Sequence, residues 1–565
     1  MIEPCGGLGL ISVVETPSLL SAPGAERSPT RGSGGASVWL RRSAAVGAWG
    51  ALFALLALAI GRLSQQVPLN SDQASSVLEG WAMGHGNLLL GGWTLPADGF
   101  ITTKLPLLAL LERFQGLTPE VVYEIAGLLG AGVVVAGAWL AGGRLRGRAR
   151  VLAMLVTGAL LTSQTLLMPG TGNSFPAGVM LPAGTDHAAS LLLLLVACLA
   201  LQAAGRSWVW PAVAWLALAV ASIGDPLAAV VGGGSLTVVG AIGLATRRRA
   251  RAQGEYRDRG SDGILVLIGL TSAAVVPVAW WAIRRLGGFT AAPLLGGGYG
   301  LPAPVSSLSH NLSVGGRALL TVFGADVIDQ PAGLNWAAAL VHLCGMVLVV
   351  ALLVWLLRPR RWLGLDLVSR VLTVGMLLDA AAYLAGQQAT DLTSARYLVP
   401  LLGFGAVLAG REGVPRLLAG RPRLQLGLLA LVAAYAGVFA AGAATAQPAP
   451  AALAGVDAWL AEHGATYGLG TYWDANVVTV SSHGAIAVRS IETSPDGVEP
   501  FLWHSTTAWY DPSTHRATFV LLTSADATDR AAVEATLGNP AEVATVGGTT
   551  IMVWPGNLLG ELFAP

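Results

Sequence analysis

The sequence predicts a mainly α protein, a polytopic bundle of about eleven transmembrane helices that ends in a small extracytoplasmic α/β domain. Three observations carry that expectation. Hydrophobic residues make up 54% of the 565 and charged residues only 12%, against about a quarter charged in an ordinary soluble domain. Mean hydropathy is +0.63, so there is too little polar surface to solvate a globule of this size. Apolar runs near the roughly 20 residues needed to cross a bilayer recur along most of the chain. Between them, clusters of arginine fall in alternate connections.

Residues 1–40 are rich in Gly, Ser and Pro and lack a compact apolar core followed by a cleavage site, so they read as a disordered cytoplasmic tail and not as a signal peptide. Arg41 and Arg42 precede the first span, and positive charge there places the N-terminus in the cytoplasm. Spans are expected near 43–62, 120–141, 149–168, 187–204, 208–224, 226–246, 263–284, 334–357, 365–385, 396–410 and 424–445, which makes residues 41–445 one membrane domain. The connections that then face the cytoplasm hold Arg144, Arg146, Arg148 and Arg150, then Arg247 to Arg249 and Arg251, then Arg358, Arg360 and Arg361, then Arg411, Arg416, Arg421 and Arg423. That distribution obeys the positive-inside rule. Outside lie the long first loop 63–119, the loops 169–186 and 285–333, the turn 386–395, and the tail 446–565. The tail alternates strand-like runs, Asn476–Ser481 and Thr518–Leu522, with a helical stretch near Asp526–Leu537. No internal repeat of the kind that builds inverted-repeat transporters is visible.

Several classes of chemistry find no support. A net charge of +1 gives no pointer to nucleic acid. Of three cysteines, Cys198 and Cys344 fall inside apolar runs, so neither a disulfide framework nor a cysteine metal site is expected. Phosphate-loop, zincin and Cys-x-x-Cys motifs are missing. The Gly232–Gly234 run lies in a span, where small residues allow close packing, and Gly296–Gly298 lies in an outer loop. Lys104 is the only lysine, which points to a GC-rich genome that writes Arg by default.

The first outer loop reads Asn70-Ser-Asp-Gln-Ala74, then Gly84-His-Gly-Asn87 and Trp93-Thr-Leu-Pro96, and ends Thr103-Lys-Leu-Pro-Leu107. Asp72 sits just beyond the first span, where a carboxylate can face water yet stay near lipid headgroups, as a base acting on a lipid-carried substrate must. A first span, Asp-x-Ala, a Gly-containing stretch, Lys-x-Pro-Leu and an amphipathic run into the second span resemble the GT-C superfamily of membrane glycosyltransferases, above all its protein mannosyltransferase and aminoarabinose transferase branch. In that branch the loop acid is commonly Asp-Glu and the basic motif Lys-Pro-Pro; here Gln73 and Leu105 depart from the pattern. A second likeness is Ala395-Arg-Tyr-Leu-Val-Pro400, entering the tenth span from outside.

The resemblance implies a GT-C-like membrane domain that transfers a sugar from a polyprenyl-phosphate donor to a glycan, lipid or protein acceptor at the outer face of a bacterial plasma membrane. Asp72 would be the general base. Lys104, Arg396 and its neighbour Tyr397 would bind the substrate, the two cations taking the phosphate that leaves. No cofactor is assigned and no metal-binding residue is named; a divalent cation stays open.

Other candidates carry two readings each. Arg284 and Arg285 stand at the outer end of the seventh span, as phosphate ligands or as interfacial side chains. Asp225, in Ile223-Gly-Asp-Pro226, is an intramembrane functional acid or the cap of the helix Pro226 opens. Asp186 and His187 open the fourth span, Asp186 as a helix cap with His187 half-buried beside it, or with His187 orienting a sugar or stabilising a carboxylate. Asp98 has the setting of a turn residue and is also a second loop acid. Asp379, inside the ninth span, needs a partner or an aqueous cavity, and Arg370 fits the positive inner boundary. In the tail, Tyr467–Asn476 and Trp509–Pro512 place aromatics beside carboxylates, to stack on sugar or to fill a small core. Two other functions compete: a lipid or glycan transporter or flippase, and a non-catalytic glycan-binding membrane scaffold. The transferase reading expects Asp72, Lys104, Arg396 and Asp225 to converge on one outer cavity.

Overall fold

The computed structural model describes residues 34–163, 185–204, 207–252, 261–291, 305–328, 333–451, 453–494, 497–522 and 527–563. The first 33 residues, most of the expected loop 169–186, part of the loop 285–333 with Gly296–Gly298, and Asp526 lie outside these. Residues 1–52 and 53–565 form separate compact units, and of the first only the start of a helix, Gly34–Ser64, is described.

Among the described residues nine helices are long and apolar enough to cross a membrane, from Ser43–Ser64 to Pro422–Thr445. Each coincides with an expected span. The other two expected spans, 149–168 and 208–224, fall on the helices Gly147–Thr162 and Val209–Gly224, of 16 residues each. At 1.5 Å per residue Val209–Gly224 is about 24 Å long, short of a hydrocarbon core of about 30 Å, and the expected span 149–168 runs past the described residues at its end. Small residues set the packing distances. A side chain at Gly127 would meet the carbonyl oxygen of Ala57 at 2.3 Å, and one at Gly233 the carbonyl oxygen of Gly269 at 2.9 Å. Gly233 ends a π-helical turn, Ala229–Gly233, so the Gly232–Gly234 run does serve close helix contact.

Arg411, expected in a cytoplasmic connection, is instead 6% exposed in a second π-helical turn, Ala409–Gly413. Its guanidinium binds Asp366 Oδ2 through Nε at 3.2 Å and Nη2 at 2.7 Å. Nη1 binds the Leu140 carbonyl at 2.6 Å and Gln202 at 2.7 Å. With every face of the cation engaged, it acts as a staple between helices.

The first loop is folded. Asn70 caps the helix Ser71–Gly84, its side chain taking the amide of Gln73 while Gln73 reaches back to the Asn70 amide. Gln73, which departs from the resembled Asp-Glu pattern, therefore has a structural task. The helix Leu105–Gln115 carries Pro106 in its first turn and packs against it. Between them lies a strand, β1, Trp93–Leu95, beside a two-residue strand, β2, Thr290–Ala291, in parallel register.

The tail forms β3 (Tyr467–Thr471), β4 (Ala487–Ser494), β5 (Gly497–Pro500), β6 (Ser505–Thr506), β7 (Phe519–Leu522), β8 (Glu542–Val546) and β9 (Thr549–Val553). A six-stranded sheet has the order β5-β4-β3-β7-β9-β8, with β3 parallel to both β4 and β7 and the outer pairs antiparallel. β6 leaves this sheet and pairs antiparallel with β1. The expected strand Asn476–Ser481 is a helix, Tyr472–Ser481. Parallel β3 and β4 need a crossover between them, and that demand overrides the β-branched composition of the run. The strand expected at Thr518–Leu522 and the helix near Asp526–Leu537 are present as β7 and Ala527–Leu537. One apolar core runs through the spans. A second joins the first-loop helices to Ala188, Ala189 and, from the tail, Val477 and Val480.

Candidate functional site

Asp72 lies in the first turn of its helix, and both of its oxygens are engaged. Arg396 Nη1 donates to Oδ2 at 3.0 Å, and Tyr472 Oη donates to Oδ1 at 2.6 Å. Two residues more than 300 positions further along the chain thus meet on the Asp72 carboxylate. Arg396 stands in the 3-10 turn Leu392–Leu398, with its guanidinium 5.6 Å from the ring of Tyr397.

Next to this cluster is a cavity of about 140 Å³. Asp98, His187, Asp225, Asp379, Tyr383, Gln388 and Tyr397 supply its polar lining. Asp225 is both the end of one helix and the cap of the next, Oδ1 accepting the Leu227 amide at 3.0 Å. Its other oxygen binds His187 Nδ1 at 2.9 Å. The capping reading of Asp225 therefore holds, and its second oxygen is left to the histidine. The His187 ring lies 4.8 Å from that of Tyr397 and 5.6 Å from that of Phe100. Asp379 Oδ2 accepts the Leu401 amide at 2.8 Å, while Oδ1 is buried without a partner.

Lys104 is 2% exposed and bonded to Asp186, so Asp186 serves as its counter-ion. Asp98 does sit in a turn, and it also lines the cavity. Burial raises its carboxyl above the ordinary range, His187 and Arg396 draw it back, and Asp225 pushes it further up. Those interactions tie the cavity to the Asp72 cluster. Of the expected set, Asp98, His187, Asp225 and Tyr397 line the cavity, whereas Asp72, Lys104 and Arg396 form ion pairs beside it. Arg284 and Arg285 are not brought there. Both are exposed, and Arg285 lies 5.6 Å over Trp281, as an interfacial side chain does.

The tail holds the acid-bearing helix at several points. Ser71 Oγ donates to the Tyr472 carbonyl, Asn476 Nδ2 to Ser75 Oγ at 2.8 Å, and His504 Nδ1 meets Glu79 Oε1 at 2.5 Å. Burial alone would lower the His504 imidazole. Glu79, with smaller help from Asp72 and Asp98, holds it above its ordinary value. Burial and then the Asp72 charge raise the Tyr472 hydroxyl, which keeps it a donor. Tyr467 and Trp509, by contrast, are structural: the Tyr467 hydroxyl donates to the Trp509 carbonyl at 2.5 Å, and Trp509 packs edge-on against Trp93 at 4.9 Å.

Sequence reasoning passed over Glu79, Glu112 and His504. Glu79 had a signal, since it falls beside Ala74, Val77 and Leu78 on the buried face of its helix. Glu112 is 1% exposed, with both oxygens unpartnered and space made for it by Gly80. Burial drives its carboxyl to about 9. An acid whose folded value is raised stabilises least at high pH, so stability should fall as pH climbs from about 4.5 to about 9. Glu112→Gln is expected to flatten that slope in thermal unfolding across the same window; an unchanged slope would place its origin elsewhere.

Among the described residues no group of three or more His, Cys, Asp or Glu is placed to hold a metal ion. Comparison with protein-family models, with curated proteins and with solved structures gives no match. The resemblance noted above therefore rests on its own sequence motifs.

Proposed function

We propose that this chain is a membrane glycosyltransferase that moves a sugar from a polyprenyl-phosphate donor to an acceptor hydroxyl. The observation that supports this best is the meeting of Asp72, Arg396 and Tyr472 beside a cavity lined by carboxylates and a histidine. The leaving phosphate is already a stable anion, so a cation held in place aids its departure more than an acid would. Arg396 is that cation. Lys104, fully paired with Asp186, shapes the site from behind.

Asp72 is the loop acid expected as base, yet both of its oxygens are taken by donors. In this reading it orients Arg396 toward the phosphate, and the acceptor proton passes to a group inside the cavity. Carboxylates and tyrosines along that cavity suit the hydroxyls of a sugar. The donor reaches the site from the outer leaflet, with the tail on the same side.

The test is transfer by purified protein in liposomes supplied with a panel of polyprenyl-phosphate sugars. Wild type should form product, and Asp72→Asn should lower kcat about 10²-fold as Arg396 loses its anchor. Wild type without transfer from any donor sinks the proposal. Asp379, with an oxygen free inside the membrane part, favours transport as a second reading. Flux of a labelled lipid or glycan that depends on Asp379, without any new glycosidic bond, would reverse the ranking.

A further inference from the structure

We propose that the His187–Asp225 pair is the proton acceptor of the cavity, with His187 catalytic and Asp225 its positioning residue. The inference rests on the transferase reading and names the group that reading leaves open. Only His187 among the cavity-lining side chains combines a basic nitrogen with a fixed orienting carboxylate. The 2.9 Å contact with Asp225 engages Nδ1, so the nitrogen left to the cavity is Nε2. A hydrogen on Nδ1, donated to Asp225 Oδ2, makes Nε2 the atom with the free lone pair. Asp225 is itself immobilised by the Leu227 amide on its other oxygen. The Phe100 and Tyr397 rings bracket the imidazole. A base held by a third, fixed group is the arrangement that nucleophile activation requires.

The groups facing His187 favour the charge that proton transfer creates. Asp225 and Asp98 lie on other elements, Asp186 on its own, and Asp379 comes from the ninth span. Asp186 is neutralised by Lys104. Of the remaining acids, Asp225 is the one bonded to the ring, so a proton arriving on Nε2 is balanced across the imidazole by that carboxylate. Asp98, whose carboxyl burial raises, lines the same cavity.

The step balances without a further reactant. The acceptor hydroxyl gives its proton to Nε2 as its oxygen bonds to the anomeric carbon. The bond from that carbon to the phosphate oxygen breaks, and its electron pair leaves on the polyprenyl phosphate. The imidazolium then returns its proton to water.

Two experiments judge the pair, and only the first needs turnover. In the liposome assay His187→Gln and His187→Ala should lose about 10²–10⁴ in kcat, the usual worth of a general base. Imidazoles added to His187→Ala should restore transfer, with a rate that rises with the basicity of the imidazole used. A structural role would not produce that dependence. Asp225→Asn should lower kcat with little change in KM. Retention of rate by His187→Gln, or rescue indifferent to basicity, overturns the assignment, and a complete loss confined to Asp98→Asn would give the role to Asp98. The second experiment maps carbethoxylation by diethyl pyrocarbonate in the intact protein. His187 lines the cavity but is only 1% exposed, so the comparison is between proteins: Asp225→Asn should slow its labelling about tenfold relative to wild type. Labelling of His187 at the same rate in both proteins overturns the pair. Absence of transfer by wild type would count against the transferase reading alone, since the labelling result stands without donor.

Discussion

Replacing Lys104 by Met is expected to destabilise the protein by about 3–5 kcal/mol, the usual penalty for breaking a buried ion pair from one side. Lys104 is 2% exposed, and its partner Asp186 keeps 15% of its side-chain surface. Removal of the ammonium leaves a carboxylate in a nearly dry site. The penalty comes from that stranded charge more than from a lost attraction, so the double variant Lys104→Met, Asp186→Asn should recover a large part of it. Thermal unfolding of wild type and the two variants in one detergent decides the matter. Equal loss in the single and the double variant would mean that Lys104 matters through its packing on Phe100, 5.2 Å away.

Arg396→Gln should behave in the opposite way. The Arg396–Asp72 pair keeps 31% and 25% side-chain exposure, so its direct worth to stability is at most about 1 kcal/mol. Its expected worth to transfer is far larger, about 10²–10³ in kcat, because the guanidinium faces charge that grows only as the phosphate departs. Arg396→Lys should restore little, since one ammonium cannot hold Asp72 and a phosphate in the same plane. Transfer within tenfold of wild type by a well-folded Arg396→Gln protein would remove this residue from the reaction. These two substitutions separate cations that look alike in sequence: the expected loss at Lys104 is in stability, and the expected loss at Arg396 is in the proposed transfer.

The membrane part was legible because lipid imposes one simple pattern. A chain with no water to bond its backbone must form long apolar helices, and each expected span lands on a helix. The helices Gly147–Thr162 and Val209–Gly224 fall within the apolar range of the longer spans, so composition alone does not set them apart. Asp72, Arg396 and Asp225 stood out as charges near the ends of apolar runs, where any ionisable group must justify its solvation. Their partners were harder to see. Tyr472 and His504 belong to the tail, and only the tertiary fold brings them to Asp72 and Glu79. The run Asn476–Ser481 misled for a physical reason: Val477, Val478 and Val480 favour a strand locally, while the parallel pairing of β3 with β4 requires a helix there. Arg411 was read as an inner-face charge, and its burial depends on Asp366, Gln202 and Leu140, none of which is near it in the chain.

The small sheet of β2, β1 and β6 sets a clock on biogenesis. β1 ends at Leu95 and β6 begins at Ser505. At about 5–20 residues per second, a ribosome needs roughly 20–80 s to travel between them. Throughout that interval the strand beside the acid-bearing helix lacks its antiparallel neighbour, and Asp72 and Glu79 lack Tyr472 and His504. A nascent chain can therefore insert its helices in order and still lack the contacts made around Asp72 and Glu79. Under the proposed transferase reading, competence arrives in a single late event, when the tail folds back onto what was made first, and a message cut short before codon 504 would yield protein without it.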